Sequence, residues 1–424
     1  MELSPLARKC ALVIGRSRVN DALRILVVVQ RYGEEVNGGA ELHARWLAES
    51  LAAEGQDVHV LTTCARDYTT WANYFEPGTS DLNGVTVHRE LVDTERDLEY
   101  FNSFSARLDW ANYVDHTPQD EIDWLRLQGP ISAGLDKWLL VNGANFDVVV
   151  PFTYLYRTAH HVLHRLHGAI PIVMHATAHD EQEFKLPTLK KLLQHVDHFL
   201  CSTPEEGSII TRYLGESTRT TSVGIGVSPR QQVEVKTELR QLGIDDRPFI
   251  LVLGRVDGSK GIFDVIDHVN TYRAKYNSDA HLVVAGQNVA QLESDRNTTF
   301  VGFVTDDQVT ALLQGCSVLV QPSPAESFSL VLCEAWLEET PTLSTAQNEV
   351  LVGQTRRAVG GLTYVDGDDF AHKLDQLMHS PLAAGVRPPL AKAYVQQMFD
   401  PAIVTQRILR VLRAEVAGFK SQGN

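Results

Sequence analysis

Short apolar runs rich in valine, isoleucine and leucine recur along this chain, each followed by a turn and a stretch of helical periodicity. Such runs, apolar toward both faces, read as parallel strands covered by helices. In the first half they fall at residues 23–30, 58–63, 85–88, 146–150, 171–174, 198–201 and 220–227. A polar connector over 227–248 interrupts them, and they restart at 249–253, 280–285, 298–301, 317–320, 342–344 and 362–364. Strand and helix in alternation twice over predicts α/β architecture with two similar, facing Rossmann-like domains. The expected division is a tail at 1–21, a first domain at 22–228, a second at 229–395, and a segment at 396–424 that returns to the first. Ile403, Ile408, Leu409 and Leu412 mark that last segment as an amphipathic helix over 400–417.

The first strand leads into Asn37-Gly38-Gly39 and a helix at 40–53. A glycine pair there lets backbone approach a ligand, and equally serves a tight turn. Residues 67–140 are irregular and aromatic, including Tyr68, Trp71, Trp110, Tyr113 and Trp124, and read as a helical insertion whose rings pack inward. His160, His164 and His167 recur at helical spacing but no acid or cysteine joins them, so a polar helix face is expected. Thr203-Pro204-Glu205-Glu206 has the pattern of a capping box. Asp366-Gly367-Asp368-Asp369 precedes a helix and reads as its cap rather than a metal loop.

The net charge of -15 argues against a nucleic-acid partner. The five cysteines are odd in number, scattered, and without a Cys-x-x-Cys pair, as expected of reduced thiols in a cytoplasm. No apolar run reaches the length of a bilayer span.

Two stretches of the second half carry chemistry. Gly254-Arg255-Val256-Asp257-Gly258-Ser259-Lys260-Gly261 follows a strand, at the strand end where open α/β sheets bind ligands. Arg255 offers a planar fork and Lys260 a compact charge, a pair suited to a diphosphate. Further on, 317–320 enters Gln321-Pro322-Ser323-Pro324-Ala325-Glu326, an open loop, and a helix is expected from Phe328 to about 338. Glu326 then stands at the mouth of that helix and Glu334 about two turns inside. Free amides of Ser329, Leu330 and Val331 at such a helix start suit phosphate, and carboxylates beside them suit sugar hydroxyls.

Together the Gly-Arg…Lys-Gly turn and the two glutamates, eight positions apart around Phe-Ser-Leu-Val-Leu, resemble the signature of the family-four retaining glycosyltransferases of the GT-B fold. Val283-Val284-Ala285-Gly286 and Phe300-Val301-Gly302-Phe303-Val304 resemble the same family's second domain, and Gly38-Gly39 and His179 match its first more loosely. Ser327 and Ser329 stand where relatives often carry glycine.

The resemblance implies a nucleotide-diphosphate sugar as co-substrate, with no other cofactor and no metal. Arg255, Lys260, Phe328, Ser329, Leu330 and Val331 would meet the diphosphate. Gly302, Phe303 and Val304 would hold the base, Glu334 the ribose, Glu326 the donor sugar, and Gly38 and Gly39 would lie close to the donor. His179, with His175 as runner-up, would face the donor sugar. The acceptor, a glycan or glycolipid, would meet the first half. Other readings are a sugar-nucleotide epimerase or a phosphorylase on the same fold, or a non-catalytic sugar-nucleotide binder. Arg8, Lys9, Arg16, Arg18, Arg24 and Arg31 make the N-terminal stretch basic, so a cytoplasmic enzyme with at most peripheral membrane contact is expected.

Overall fold

A computed structural model describes residues 22–108, 117–245 and 247–422. The predicted tail with Arg8, Lys9, Arg16 and Arg18, and the insertion residues Trp110 and Tyr113, lie outside the described residues.

The first half runs β1 (Arg24–Val28), α1 (Gly39–Ala53), β2 (Asp57–Thr63), β3 (Gly78–Leu82), β4 (Val85–Glu90), α2 (Leu98–Ser105), α3 (Pro118–Gln128), α4 (Ala133–Asn142), β5 (Val148–Pro151), α5 (Arg157–Leu166), β6 (Val173–Met174), α6 (Pro187–Leu193), β7 (His198–Cys201), α7 (Pro204–Leu214) and β8 (Thr220–Ser222). Its strands lie in the order β3-β4-β2-β1-β5, and parallel bridges from Val149 to Ile172 and from Phe152 to His175 carry the sheet on to β6-β7-β8. Among the described strands of this half, β3 alone pairs antiparallel, on β4. Successive residues of β1 point to opposite faces. Leu26 and Val28 enter one buried cluster while Ile25 and Val27 enter another, so the sheet has a core on each side.

The second half runs α8 (Val235–Gln241), β9 (Phe249–Leu253), α9 (Ile262–Tyr276), β10 (His281–Ala285), β11 (Thr298–Gly302), α10 (Asp306–Gly315), β12 (Val318–Gln321), α11 (Leu330–Leu337), β13 (Thr342–Thr345), α12 (Glu349–Ala358), β14 (Gly361–Tyr364), α13 (Gly367–His379), α14 (Pro388–Met398) and α15 (Pro401–Gln422). Its sheet is wholly parallel, ordered β11-β10-β9-β12-β13-β14. Phe249 and Leu251 pack to one face, Ile250 and Val252 to the other. Strand order therefore reverses between β1 and β5 in one half and between β9 and β12 in the other. Those crevices, at the carboxyl ends of the strands, are where such sheets bind ligands.

The closing helix α15 docks on the first half, as the sequence implies. Val404, Ile408, Leu409, Leu412 and Val416 join the core beneath α1 and β1. Burying five such side chains contributes on the order of 10 kcal/mol, comparable with the whole stability of a domain. Ile403, expected on the apolar face, is instead exposed, and Val404 takes its place because the buried stripe runs through 404, 408 and 412. Buried Glu415 fixes the helix further, meeting His198 at 3.0 Å and the guanidinium of Arg219. The chain crosses between halves twice, side by side, with the Val227 amide donating to the Phe399 carbonyl at 2.7 Å.

Several local expectations change. Thr203 caps α7, accepting from the Glu206 amide at 3.2 Å, but no reciprocal capping box forms. The Glu206 carboxylate is drawn away to the amides of Ser202 at 2.6 Å and Ala178 at 2.9 Å. The expected polar histidine face of α5 is only partly polar: His160 is buried, its Nε2 against the Tyr154 carbonyl at 2.8 Å, while His167 stacks on His195. Asp366 caps α13 through the Asp369 amide at 2.9 Å. Arg24 and Arg31, counted in the basic N-terminal stretch, are tied into the fold by Asp57 and Glu41. Trp71, Phe101 and Trp124 of the insertion pack inward, whereas Tyr68, expected to do the same, is exposed because it lies at the cleft where Arg255 reaches its hydroxyl. Among the described residues no helix is long and apolar enough to cross a membrane.

Two histidines lie in the core beneath the first crevice. His43 and His175 have ring centroids 4.6 Å apart, both pack on Phe152, and none of their four ring nitrogens has a hydrogen-bond partner. Burial alone pushes His43 down to about 3, and burial together with His43 pushes His175 well below the ordinary range. Both folded values lie below the unfolded value near 6.5, so the unfolded chain takes up the protons first. Their contribution to stability is thus complete above pH ~6.5 and declines as pH falls toward the folded values. The slope is about 1.4 kcal/mol per pH unit for each site. We expect the urea midpoint to drop between pH 7 and pH 5, less steeply in His43→Leu. An equal midpoint at both pH values in the native chain would contradict this.

Candidate active site

Both crevices open into the cleft between the halves. At the second, the chain leaves β9 through Gly254-Arg255 and leaves β12 through Pro322. A cavity of about 200 Å³ there is lined by Gly39, Gly254, Arg255, Lys260, Glu326, Phe328, Ser329, Leu330 and Val331, among others. An adjoining cavity of about 230 Å³ brings in His179 from the first half beside Gly39, Lys260 and Glu326. A third, of about 380 Å³, sits on the first crevice and is lined by Gly38, His179 and Arg255 together with Gln30, Thr153 and Tyr68. Most of the residues singled out in the sequence thus converge on one cleft.

Local backbone explains the shape of the β9 turn. Asp257 caps the short turn Gly258–Lys260 through the Ser259 amide at 2.9 Å and also pairs with Arg255. Gly261 then takes φ 75°, and a Cβ on it would lie 2.7 Å from the Pro322 carbonyl oxygen. Only glycine permits both. The two loops therefore touch, and Lys260 reaches across to Glu326 at 2.8 Å and Ser323 at 3.3 Å. Arg255 points over the cleft and donates to the Tyr68 hydroxyl of the first half at 3.3 Å.

The helix α11 begins at Leu330, two residues later than expected. Phe328 packs edge-on against Phe399, Ser329 is extended, and the Ser329 amide is taken by the Gln354 side chain at 3.1 Å. The Ser329 amide, expected at the phosphate, is therefore committed elsewhere. The Ser329 hydroxyl is also engaged, accepting from Gln321 at 3.0 Å, and no side chain caps the helix. The first-turn amides from Leu330 onward have no intrahelical partner and face the cavity, with the positive end of the helix dipole behind them. Asn348 ties the loop down through the carbonyls of Pro324 and Glu326, at 3.1 and 3.2 Å.

Glu334 is the fifth residue of α11, a little over one turn in rather than two. Burial raises its pKa, although Arg230, 2.7 Å away, opposes the shift. Arg230 also binds Asp306 at 2.8 Å, linking Glu334 to the segment after β11. There Gly302 turns with φ 74°, Val304 packs on the core, and the Phe303 ring is 80% exposed. Gly302, Phe303, Val304 and Glu334 lie outside the lining of the three cavities.

On the first half, His179 lies 3.5 Å from Glu181, which also accepts from the buried Tyr154 hydroxyl. Burial opposes the imidazolium, but the Glu181 hydrogen bond and charge, with Glu326 and Glu206, outweigh it and raise the pKa. His175, the runner-up, is buried in the core rather than in the cleft. Gly38 backs onto the Glu41 carboxylate, which accepts from Arg31 at 2.6 Å and Gln30 at 2.7 Å. Among the described residues no three His, Cys, Asp or Glu side chains gather closely enough to hold a metal ion.

Sequence reasoning missed Arg230, Gln354, Asn348, Tyr68, Glu181 and Glu206. Glu181 stands two residues from His179 and was within reach of a local reading, whereas Arg230 and Gln354 meet the helix only through tertiary folding.

Comparison with known proteins places both halves in a family. Residues 38–226 match the glycosyl transferase 4-like domain, and residues 234–396 match the glycosyl transferases group 1 model. An uncharacterized glycosyltransferase of Methanocaldococcus jannaschii is 24% identical over 347 residues, covering 76% of this chain and 80% of the relative. The glycogen synthase of Mycobacterium tuberculosis is 26% identical over a 434-residue alignment covering 93% and 96%. Anabaena HepE, solved in complex with UDP and glucose, superposes with a TM-score of 0.65 at 15% identity, over 92% of this chain and all of that one.

Proposed function

Since the chain belongs to the group 1 glycosyl transferases, we propose that it moves a sugar from a nucleoside diphosphate to a hydroxyl acceptor, with retention at the anomeric carbon and no metal ion. One observation carries this reading: an uncapped helix start at the strand-order reversal of the second sheet, flanked by Arg255 and Lys260 and facing His179 across the cleft.

The donor's diphosphate would lie against the Leu330 and Val331 amides with Arg255 and Lys260. As the bond from anomeric carbon to phosphate oxygen breaks, its electron pair leaves with the diphosphate. Fixed positive groups in a closed cleft stabilise that charge as it develops. The acceptor oxygen bonds to the same carbon from the same face, and its proton passes to the departing phosphate oxygen. Glu326 would hold donor hydroxyls and Glu334 the ribose, with Phe303 beside the base. His179 would hold a hydroxyl of the transferred sugar. HepE was solved with UDP and glucose, which makes UDP-sugars the first donors to try.

The crossings near Val227 and Phe399, close to the divisions at 228/229 and 395/396, would serve as hinges. Arg357 pairs with Glu205 at 2.5 Å, and Thr203 donates to the Ser327 carbonyl at 3.1 Å, so contacts between halves already exist to be remade on closure.

A panel of nucleotide sugars, scored by release of nucleoside diphosphate and by the anomeric configuration of the product, tests the reading. Release with a retained configuration is expected. Inversion would remove the same-face mechanism, and no release from any donor would remove the activity. Because Arg255 and Lys260 supply the positive charge, activity is expected to persist in excess EDTA. Loss restored by magnesium or manganese would contradict that.

A further inference from the structure

We propose that the acceptor's reacting unit is an uncharged sugar, read by Thr153 and Gln30 at the carboxyl ends of β5 and β1. This rests on the transferase reading above and narrows it to a substrate class.

The cavity on the first crevice holds buried polar atoms that the protein leaves unmatched. The Thr153 hydroxyl and the Gln30 carbonyl oxygen are both buried and without a hydrogen-bond partner. Leaving such atoms unpaired costs on the order of 1–3 kcal/mol each, and one hydroxylated ligand supplies the missing partners. Gln30 is not free to turn away, because its amide nitrogen is fixed on Glu41 at 2.7 Å.

Backbone strain marks the same wall. Thr153 and Thr177, on neighbouring strand ends, have φ of 50° and 53°. β-branched residues rarely adopt this left-handed region, at a cost of about 1–3 kcal/mol. The Thr153 amide bonded to the His175 carbonyl at 3.0 Å holds the first of them in place.

Charge selects against an anionic acceptor. The basic side chains lining this cavity are Arg31, Arg255 and His179, the last paired with Glu181 at 3.5 Å. Arg31 is buried against Glu41, and it also donates to the Arg66 carbonyl at 2.8 Å. Arg255 is paired with Asp257 and stands on the donor side. Glu181 adds a further carboxylate, held ionised by His179 and Tyr154 against the opposing effect of burial. A phosphate or carboxylate on the acceptor would find every cation of the first half here already committed to a carboxylate, Arg31 to Glu41 and His179 to Glu181. A neutral polyol meets hydroxyl, amide oxygen and carboxylate, all able to accept its protons.

With the donor identified by the panel above, nucleotide release is measured with glucose, galactose, mannose and fructose, with their 6-phosphates, and with glucuronate. The neutral sugars are expected to stimulate release and the charged ones not. Thr153→Val removes only the hydroxyl and is expected to melt at the same or a higher temperature, since that hydroxyl bonds nothing in the protein. It should raise the KM of the best neutral acceptor about 3- to 10-fold, the loss of one neutral hydrogen bond, while the donor KM moves less than twofold. Thr153→Ser should restore the acceptor KM. The native enzyme should discriminate against one monodeoxy derivative of that acceptor, and Thr153→Val should not. A charged sugar preferred over its neutral parent, or unaltered discrimination across all monodeoxy derivatives, overturns the inference and leaves the transferase reading standing. No release from any donor, with any acceptor, contradicts both.

Discussion

Lys260→Met is expected to lower transfer turnover by about 10²- to 10³-fold, the usual effect of losing one preorganised donor to a developing oxyanion. The methionine keeps the apolar stem and the fold around the Gly261 turn, and removes the ammonium. In the structure that ammonium sits between Glu326 and Ser323 at the wall of the cavity. Removal leaves the Glu326 carboxylate without its partner, so the change removes a positive group and also adds an uncompensated negative one. Both effects oppose departure of a diphosphate, and both are stronger in the transition state than in the ground state, where less charge has developed. The fall should therefore appear in kcat more than in donor KM. Lys260→Arg keeps the charge, but its planar fork does not fit a site shaped for a point charge, and a partial loss is expected. Steady-state kinetics on the native enzyme and both variants check this. Turnover in Lys260→Met within threefold of native would take Lys260 out of leaving-group stabilisation.

Glu326→Gln is expected to reduce turnover by about 10²-fold or more with nucleotide affinity little changed, whereas Glu334→Gln should mainly weaken donor binding. The two acids differ in setting. Glu326 precedes α11 and lines the two cavities where the halves meet, with Lys260 on one side and His179 on the other. Glu334 lies inside α11, is largely buried and answers to Arg230. A contact near the reacting carbon strengthens as charge develops there, while a contact to a remote hydroxyl is the same before and during reaction. Calorimetry with nucleoside diphosphate and single-turnover rates separate the two. Near-native turnover in Glu326→Gln, or unchanged affinity in Glu334→Gln, would overturn the corresponding role.

Strands buried on both faces announce themselves as Val and Ile runs, so both parallel sheets were legible in sequence. β3 was not, because Gly78–Leu82 is a polar edge strand with almost nothing buried. The one local signal was its turn, Asn83-Gly84, which has φ of 55° and 80° as such hairpins require. The start of α11 was misplaced because its position depends on Phe399 and Gln354, both distant in sequence. Local chemistry exposed the turn from Gly254 to Gly261 and the two glutamates, since the glycines and acids serve their own neighbourhoods. Arg230, 104 residues before Glu334, gave no such sign. The orphaned hydroxyl of Thr153 is likewise a property of packing and cannot be read from its neighbours.

A crystal structure with bound UDP tests the central assignment most directly. The expected result places the diphosphate within hydrogen-bond distance of the Leu330 and Val331 amides, with Arg255 and Lys260 on its flanks and the ribose at Glu334. Phosphates bound instead on the first half, at the Gly38-Gly39 loop with the start of α11 left to solvent, would contradict it.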